Sequence, residues 1–156
     1  MEAFTDRLIA AIDRKGCPIA VGLDPRLDLM PPGLVRTYFT RHGETHRAAS
    51  LAIREFNVRL LDAIAAHVPT VKVQVAFYEA FGPSGMEVFA ETLSEARQRG
   101  LIAIADVKRG DVELTAQAYA SAYLASSLPG VKLSPGFAAD AITVNPYLGG
   151  MACCLL

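Results

Sequence analysis

Four short apolar runs, at residues 19–23, 70–75, 101–106 and 141–144, are separated by longer stretches of helical periodicity. Such alternation is the mark of β/α units feeding a parallel sheet, so the expected class is α/β with about four units. The helical patterns cover the N-terminal segment, then about residues 44–66, 85–99 and 112–125. Ser84-Gly-Met-Glu87 reads as a capping box opening the third of these. There the serine accepts from the N–H of Glu87, whose side chain reaches back. Gly100, just past Arg97 and Arg99, reads as its left-handed stop. The segment PPGLVRTYFTRHGE after the first run is long and contains prolines, which predicts a surface loop on the active side of the sheet. No internal repeat or low-complexity segment stands out.

Strand parity says which side chains meet. Along VKVQV, residues 71–75, the valines share one face and Lys72 shares the other with Gln74. A polar face is unexpected in a parallel α/β pattern and needs a reason. In a closed barrel the valines would pack outward on helices while Lys72 pointed inward, toward the C-terminal strand ends where active sites gather. The same parity gives Ile104, Asp106 and Lys108 one orientation and pairs Gly22 with Asp24, so three strand ends deliver charge to one place.

Each charge also has an ordinary explanation. Asp24 before Pro25 suits a turn, Asp111 after Gly110 suits a helix N-cap, and Lys108 with Arg109 suits a solvated loop. Together they form an alternating Asp, Lys, Asp, Lys set. One such pair at about 4 Å is worth roughly 4 kcal/mol at an effective dielectric near 20, before desolvation is subtracted. Stability is a poor motive for that arrangement. A lysine flanked by carboxylates suits a reaction in which negative charge develops on carbon and a proton must then be supplied.

Composition narrows the partners. Charges nearly cancel, with 15 Lys+Arg against 16 Asp+Glu, and no basic cluster interleaves with aromatics, so nucleic acid is not expected. The N-terminus MEAFTDRLIAAIDRKG is amphipathic and acidic at its second position, unlike a secretory leader. Apolar runs such as residues 101–105 fall far short of the roughly 20 residues that span a bilayer. A cytoplasmic protein without membrane insertion is expected. The three cysteines, Cys17, Cys153 and Cys154, lack metal-ligand spacing and read as reduced thiols.

The pieces VGLD (21–24), VKVQVAFYEAFG (71–82), DVKRGDVELTA (106–116) and DAITVNPYLG (140–149) resemble the orotidine 5'-phosphate decarboxylase family, in particular its bacterial branch with a long insertion after the first strand. The resemblance runs in order from near residue 16 to Gly149. It implies a partial (β/α)8 TIM barrel, with residues 1–156 forming one domain that corresponds to its N-terminal half. It implies decarboxylation of orotidine monophosphate to UMP, the last step of UMP synthesis, without metal or organic cofactor. Lys108 would be the proton donor and Asp106 would sit against the departing carboxylate. Asp24 and Lys72 would hold the ribose hydroxyls. Asp111 and Thr115 would reach into the site of a neighbouring subunit, which makes a homodimer with shared active sites the expected partner state.

The chain also departs from the family. No segment resembles the later Thr-Ser-Asn-Pro-Gly stretch that recognises the pyrimidine, nor the glycine-rich strand ends and arginine that bind phosphate. The last residues, GGMACCLL, leave the pattern. The expectation is a truncated or partial gene product, weakly active because the binding energy of the phosphate is missing at the reacting carbon. An inactive structural fragment is the alternative. A magnesium-dependent sugar-phosphate barrel enzyme is a further one, disfavoured because Lys72 stands where its acidic metal ligand would be.

Overall fold

The strands pair in the order in which they occur in the chain. The computed structural model describes residues 3–124 and 136–148. Within them β1 (Ala20–Leu23), β2 (Thr70–Gln74), β3 (Ile102–Arg109) and β4 (Ala141–Val144) form one sheet in the order β1-β2-β3-β4. Every neighbouring pair is parallel. Consecutive parallel strands joined by right-handed crossovers put their helices on one face, and that is the architecture of a partial (β/α)8 barrel.

Helix α1 (Phe4–Lys15) carries Asp6 in its first turn and Arg14 and Lys15 in its last, each matching the helix dipole, and it stops at Gly16 with φ +61°. Thr45 caps α3 (His46–Ile64) by accepting from the N–H of Ala48 at 3.1 Å. The short α4 (Ala76–Glu79) leads into α5 (Gly82–Gln98), and α6 (Glu113–Tyr123) follows β3. A 3₁₀ turn, Pro146–Leu148, follows β4.

The outward sheet face packs on these helices. Val71, Val73, Ala103 and Ala105 are fully buried there with Leu61, Phe89 and Leu93 from α3 and α5. The opposite face carries Lys72 and Gln74, both only half-buried, as the alternation of VKVQV requires.

Three local expectations are corrected. The segment expected as a loop folds into α2 (Pro32–His42), with proline in its first turn and Gly43 at its end. It does lie at the surface, with none of its residues fully buried. The Ser84-to-Glu87 capping box is not used, because α5 already begins at Gly82. Ser84 instead donates to the Phe81 carbonyl at 3.2 Å and meets the Ser50 hydroxyl at 3.0 Å. Third, β3 runs past Asp106 to Arg109. The expected stop at Gly100 is present: its φ is +74° and its N–H bonds the Arg97 carbonyl at 2.9 Å. Cys153, Cys154, the tail GGMACCLL and the end of the fourth expected helix at Ala125 lie outside the described residues.

Candidate active site

Strand register brings the charges together. Gly22 pairs with Lys72, Lys72 with Ile104, and Gln74 with Asp106, so the polar side chains of β2 lie beside those of β1 and β3. The Lys72 ammonium lies 3.2 Å from Asp24 Oδ1 and 3.3 Å from Asp106 Oδ2. The Lys108 ammonium lies 2.6 Å from Asp106 Oδ1. Asp24, Lys72, Asp106 and Lys108 therefore form one continuous chain of opposite charges at the C-terminal strand ends.

Asp106 is its centre. Its side chain is 8% exposed, and each oxygen accepts from two donors. Oδ1 takes the Lys108 ammonium at 2.6 Å and the Thr143 hydroxyl at 2.7 Å. Oδ2 takes the Lys72 ammonium at 3.3 Å and the Gln74 amide at 2.7 Å. That fills the roughly four acceptor positions of a carboxylate. Burial alone would raise the pKa of Asp106, but the bonds from Lys108, Thr143 and Lys72 outweigh it and hold the carboxyl below its usual range. Burial likewise opposes the charge on Lys72, and Asp24 with Asp106 outweigh it, so its pKa is raised.

These shifts have opposite pH signatures. A depressed Asp106 contributes stability above the unfolded carboxylate value of about 3.9, and this is lost as pH falls through the lower folded value. A raised Lys72 contributes stability below about 10.4, lost as pH rises through the higher folded value. The urea midpoint of the chain is therefore expected to hold level between these limits and to fall beyond both. A midpoint that climbs as pH drops below the carboxylate range would contradict this electrostatic picture.

Two expected residues lie apart. Asp111 accepts from the backbone N–H of Val112 at 2.7 Å, and among the described residues neither Asp111 nor Thr115 bonds to the Asp106 cluster. Asp111 precedes α6 and is not its cap, since the capping position is Val112. Arg109, expected in a solvated loop, is half-buried, with its guanidinium 5.2 Å from the Tyr119 ring centre and 3.4 Å from Glu79.

Gln74 and Thr143 are cluster members that the sequence did not single out as site residues. Parity already placed Gln74 on the face of Lys72. Thr143 had a weaker signal, the one polar residue in the run AITV, and its partners depend on an irregularity in β3. Ala105 pairs with Ile142, but the next pairing joins Arg109 to Val144, so β3 bulges between them. Lys108 sits in that bulge with φ +48° and a side chain 63% exposed. A separate cavity of about 350 Å³ lies at the opposite strand ends, where Arg7 and Arg97 pair with Asp140. Among the described residues no group of three or more His, Cys, Asp and Glu side chains is placed to hold a metal ion, and no helix is long and apolar enough to cross a membrane.

This arrangement has known counterparts. A family model described as orotidine 5'-phosphate decarboxylase / HUMPS family matches residues 18–152. The orotidine 5'-phosphate decarboxylase of Rhodopirellula baltica is 45% identical over 149 residues, which are 96% of this chain and 47% of the relative. A crystal structure from Streptomyces avermitilis, provisionally assigned to the same enzyme, is 35% identical with a TM-score of 0.75, covering 99% of this chain and 48% of its own. The OMP decarboxylase of Leishmania donovani is 27% identical with a TM-score of 0.71, over 99% of this chain and 48% of its own. The chain spans about half the length of the curated relatives it matches.

Proposed function

The chain belongs to the orotidine 5'-phosphate decarboxylase / HUMPS family, and from that premise we propose that its Asp106 cluster serves decarboxylation of orotidine 5'-monophosphate to UMP and carbon dioxide. The observation that carries this reading is the unbroken run Asp24, Lys72, Asp106, Lys108, with successive separations of 3.2, 3.3 and 2.6 Å. It offers a fixed ammonium where carbon gains an electron pair.

In this reaction the bond from the pyrimidine C6 to its carboxylate breaks, and carbon dioxide leaves. The electron pair stays on C6, and a proton passes from the Lys108 Nζ to that carbon. Solvent then restores the proton to the amine. Lys108 acts before the transfer as well, because a preorganised cation lowers the energy of the developing carbanion. Asp106 sits against the departing carboxylate and orients Lys108. Asp24 and Lys72 hold the ribose hydroxyls.

No metal enters this scheme. A dication at the cluster would have to displace the Lys72 ammonium from between two carboxylates, which the charge already there opposes. The magnesium-dependent sugar-phosphate reading is therefore the weaker one. The decisive assay is release of carbon dioxide from carboxyl-labelled orotidine monophosphate, with and without EDTA, together with rescue of a uracil-requiring strain by the complete gene that encodes these residues. Release abolished by EDTA would overturn the metal-free reading.

The proposal includes a homodimer with shared sites and a cytoplasmic location. Exposed Val112 and Leu114 follow β3, and exposed Tyr147 and Leu148 follow β4, so apolar surface lies beside the cluster. Asp111 and Thr115 lie on the same segment and would serve a second copy. Sedimentation at micromolar concentration is expected to give a dimer. A monomer there would remove Asp111 and Thr115 from the scheme.

A further inference from the structure

We propose that Thr143 is a positioning residue for Lys108, its single hydroxyl holding the lysine directly at its backbone and, through Asp106, at its ammonium. The functional part of this inference rests on Lys108 being the proton donor. Its geometric part stands alone.

Lys108 has φ +48°, a left-handed backbone that a non-glycine residue keeps only when its surroundings hold it there. The bulge takes its N–H out of the regular ladder, and that N–H donates to Thr143 Oγ1 at 3.0 Å. The same hydroxyl sends its own proton to Asp106 Oδ1 at 2.7 Å. That oxygen in turn accepts from the Lys108 ammonium at 2.6 Å. Amide, hydroxyl, carboxylate and ammonium close a ring that begins and ends on one residue. A hydroxyl has one proton and can accept as well, and Thr143 uses both capacities.

The neighbouring residue is anchored independently. The Arg109 carbonyl accepts from the Asn145 N–H at 2.7 Å, and its guanidinium donates to the Val107 carbonyl at 3.1 Å and to the Tyr123 hydroxyl at 3.3 Å. Arg109 thus fixes where the strand ends. It makes no bond to the Lys108 ammonium or to Asp106, so the lysine is oriented by Asp106 and by the Thr143 hydroxyl that ties Asp106 to the Lys108 backbone. Valine has nearly the shape of threonine and lacks the hydroxyl, so Thr143→Val removes the ring and little else.

The test is competitive acetylation of the native chain, with Lys15 as internal reference and mass spectrometry as readout. Thr143→Val removes both bonds of the hydroxyl and loosens the seat of the ammonium on Asp106. The rate at Lys108 relative to Lys15 is then expected to rise about fivefold, the net scale of a single hydrogen bond, and Thr143→Ser is expected to restore it. A residue that only stitches strands together would lower the melting temperature without changing this ratio. An unchanged ratio in Thr143→Val, or a serine variant that labels as fast as the valine one, overturns the proposal. If the valine variant does not fold, the unsubstituted chain still decides. Its Lys108 amide must exchange at least about tenfold more slowly than in an unstructured chain, and an unprotected amide removes the ring. None of these readouts needs substrate. Absence of decarboxylation would refute the proposed reaction and leave the positioning result standing.

Discussion

Lys108→Ala is expected to reduce release of carbon dioxide from orotidine monophosphate by about 10⁴-fold in the complete gene product, the combined scale of a lost general acid and a lost charge stabiliser. The loss should fall on kcat more than on KM, since the ammonium acts on charge that exists only in the transition state. The fold should survive. The Lys108 side chain is 63% exposed and its pairing is with Asp106, which keeps Lys72, Gln74 and Thr143 as donors. Lys108→Arg separates the two roles of the amine. Arginine keeps the positive charge but holds its proton too tightly to give it up, so it should remain far below the unsubstituted protein. Activity of Lys108→Ala within tenfold of normal would show that the proton comes from elsewhere and would remove the lysine from the reaction.

The strands were legible because parallel β/α units write themselves as short apolar runs, and the polar side chains of VKVQV stood out against that pattern. Asp24, Lys72 and Asp106 could be brought to one face by counting in twos, since parallel register keeps neighbouring side chains level. The count works as far as Asp106. Beyond it Lys108 reaches the cluster through a bulge and a left-handed backbone, which no periodicity encodes. Thr143 was hidden for the same reason: its partners depend on how β4 meets an irregular β3. Helix α2 was obscured differently. Its paired prolines looked like loop chemistry, but one of them lies in the first turn, where a missing N–H costs nothing. Leu34, Val35 and Tyr38 were the signal for a helix lying on the core. Ser84 and Glu87 matched a capping motif in letters, but α5 already begins at Gly82, upstream of both, and Gly85 packs inside it against the Tyr78 carbonyl. A Cβ on Gly85 would come 1.9 Å from that oxygen.

Asp106→Asn is expected to damage stability and turnover together, which sets it apart from Lys108→Ala. The amide has nearly the shape of the carboxylate but offers one accepting oxygen, and its NH₂ faces donors where Asp106 had an acceptor. Two of the four groups around it then lose their partner, and the ammoniums of Lys72 and Lys108 lose the anion between them. Removing one side of a buried ion pair costs about 3–5 kcal/mol. Lys72 and Lys108 have side chains 33% and 63% exposed, so water relieves part of the repulsion. About 2 kcal/mol is therefore expected in a urea melt near neutral pH. The gap must close in acid. Once pH falls through the depressed folded pKa of Asp106, the unsubstituted chain also holds a neutral group there, and the two melts should converge. Turnover should drop by roughly 10²–10³-fold, because Lys108 loses its 2.6 Å anchor and the charge that sits against the departing carboxylate disappears. Equal stability of the two proteins at neutral pH would mean that Asp106 is not the hub of the cluster, and the positioning assigned to Lys108 and Thr143 would lose its common point.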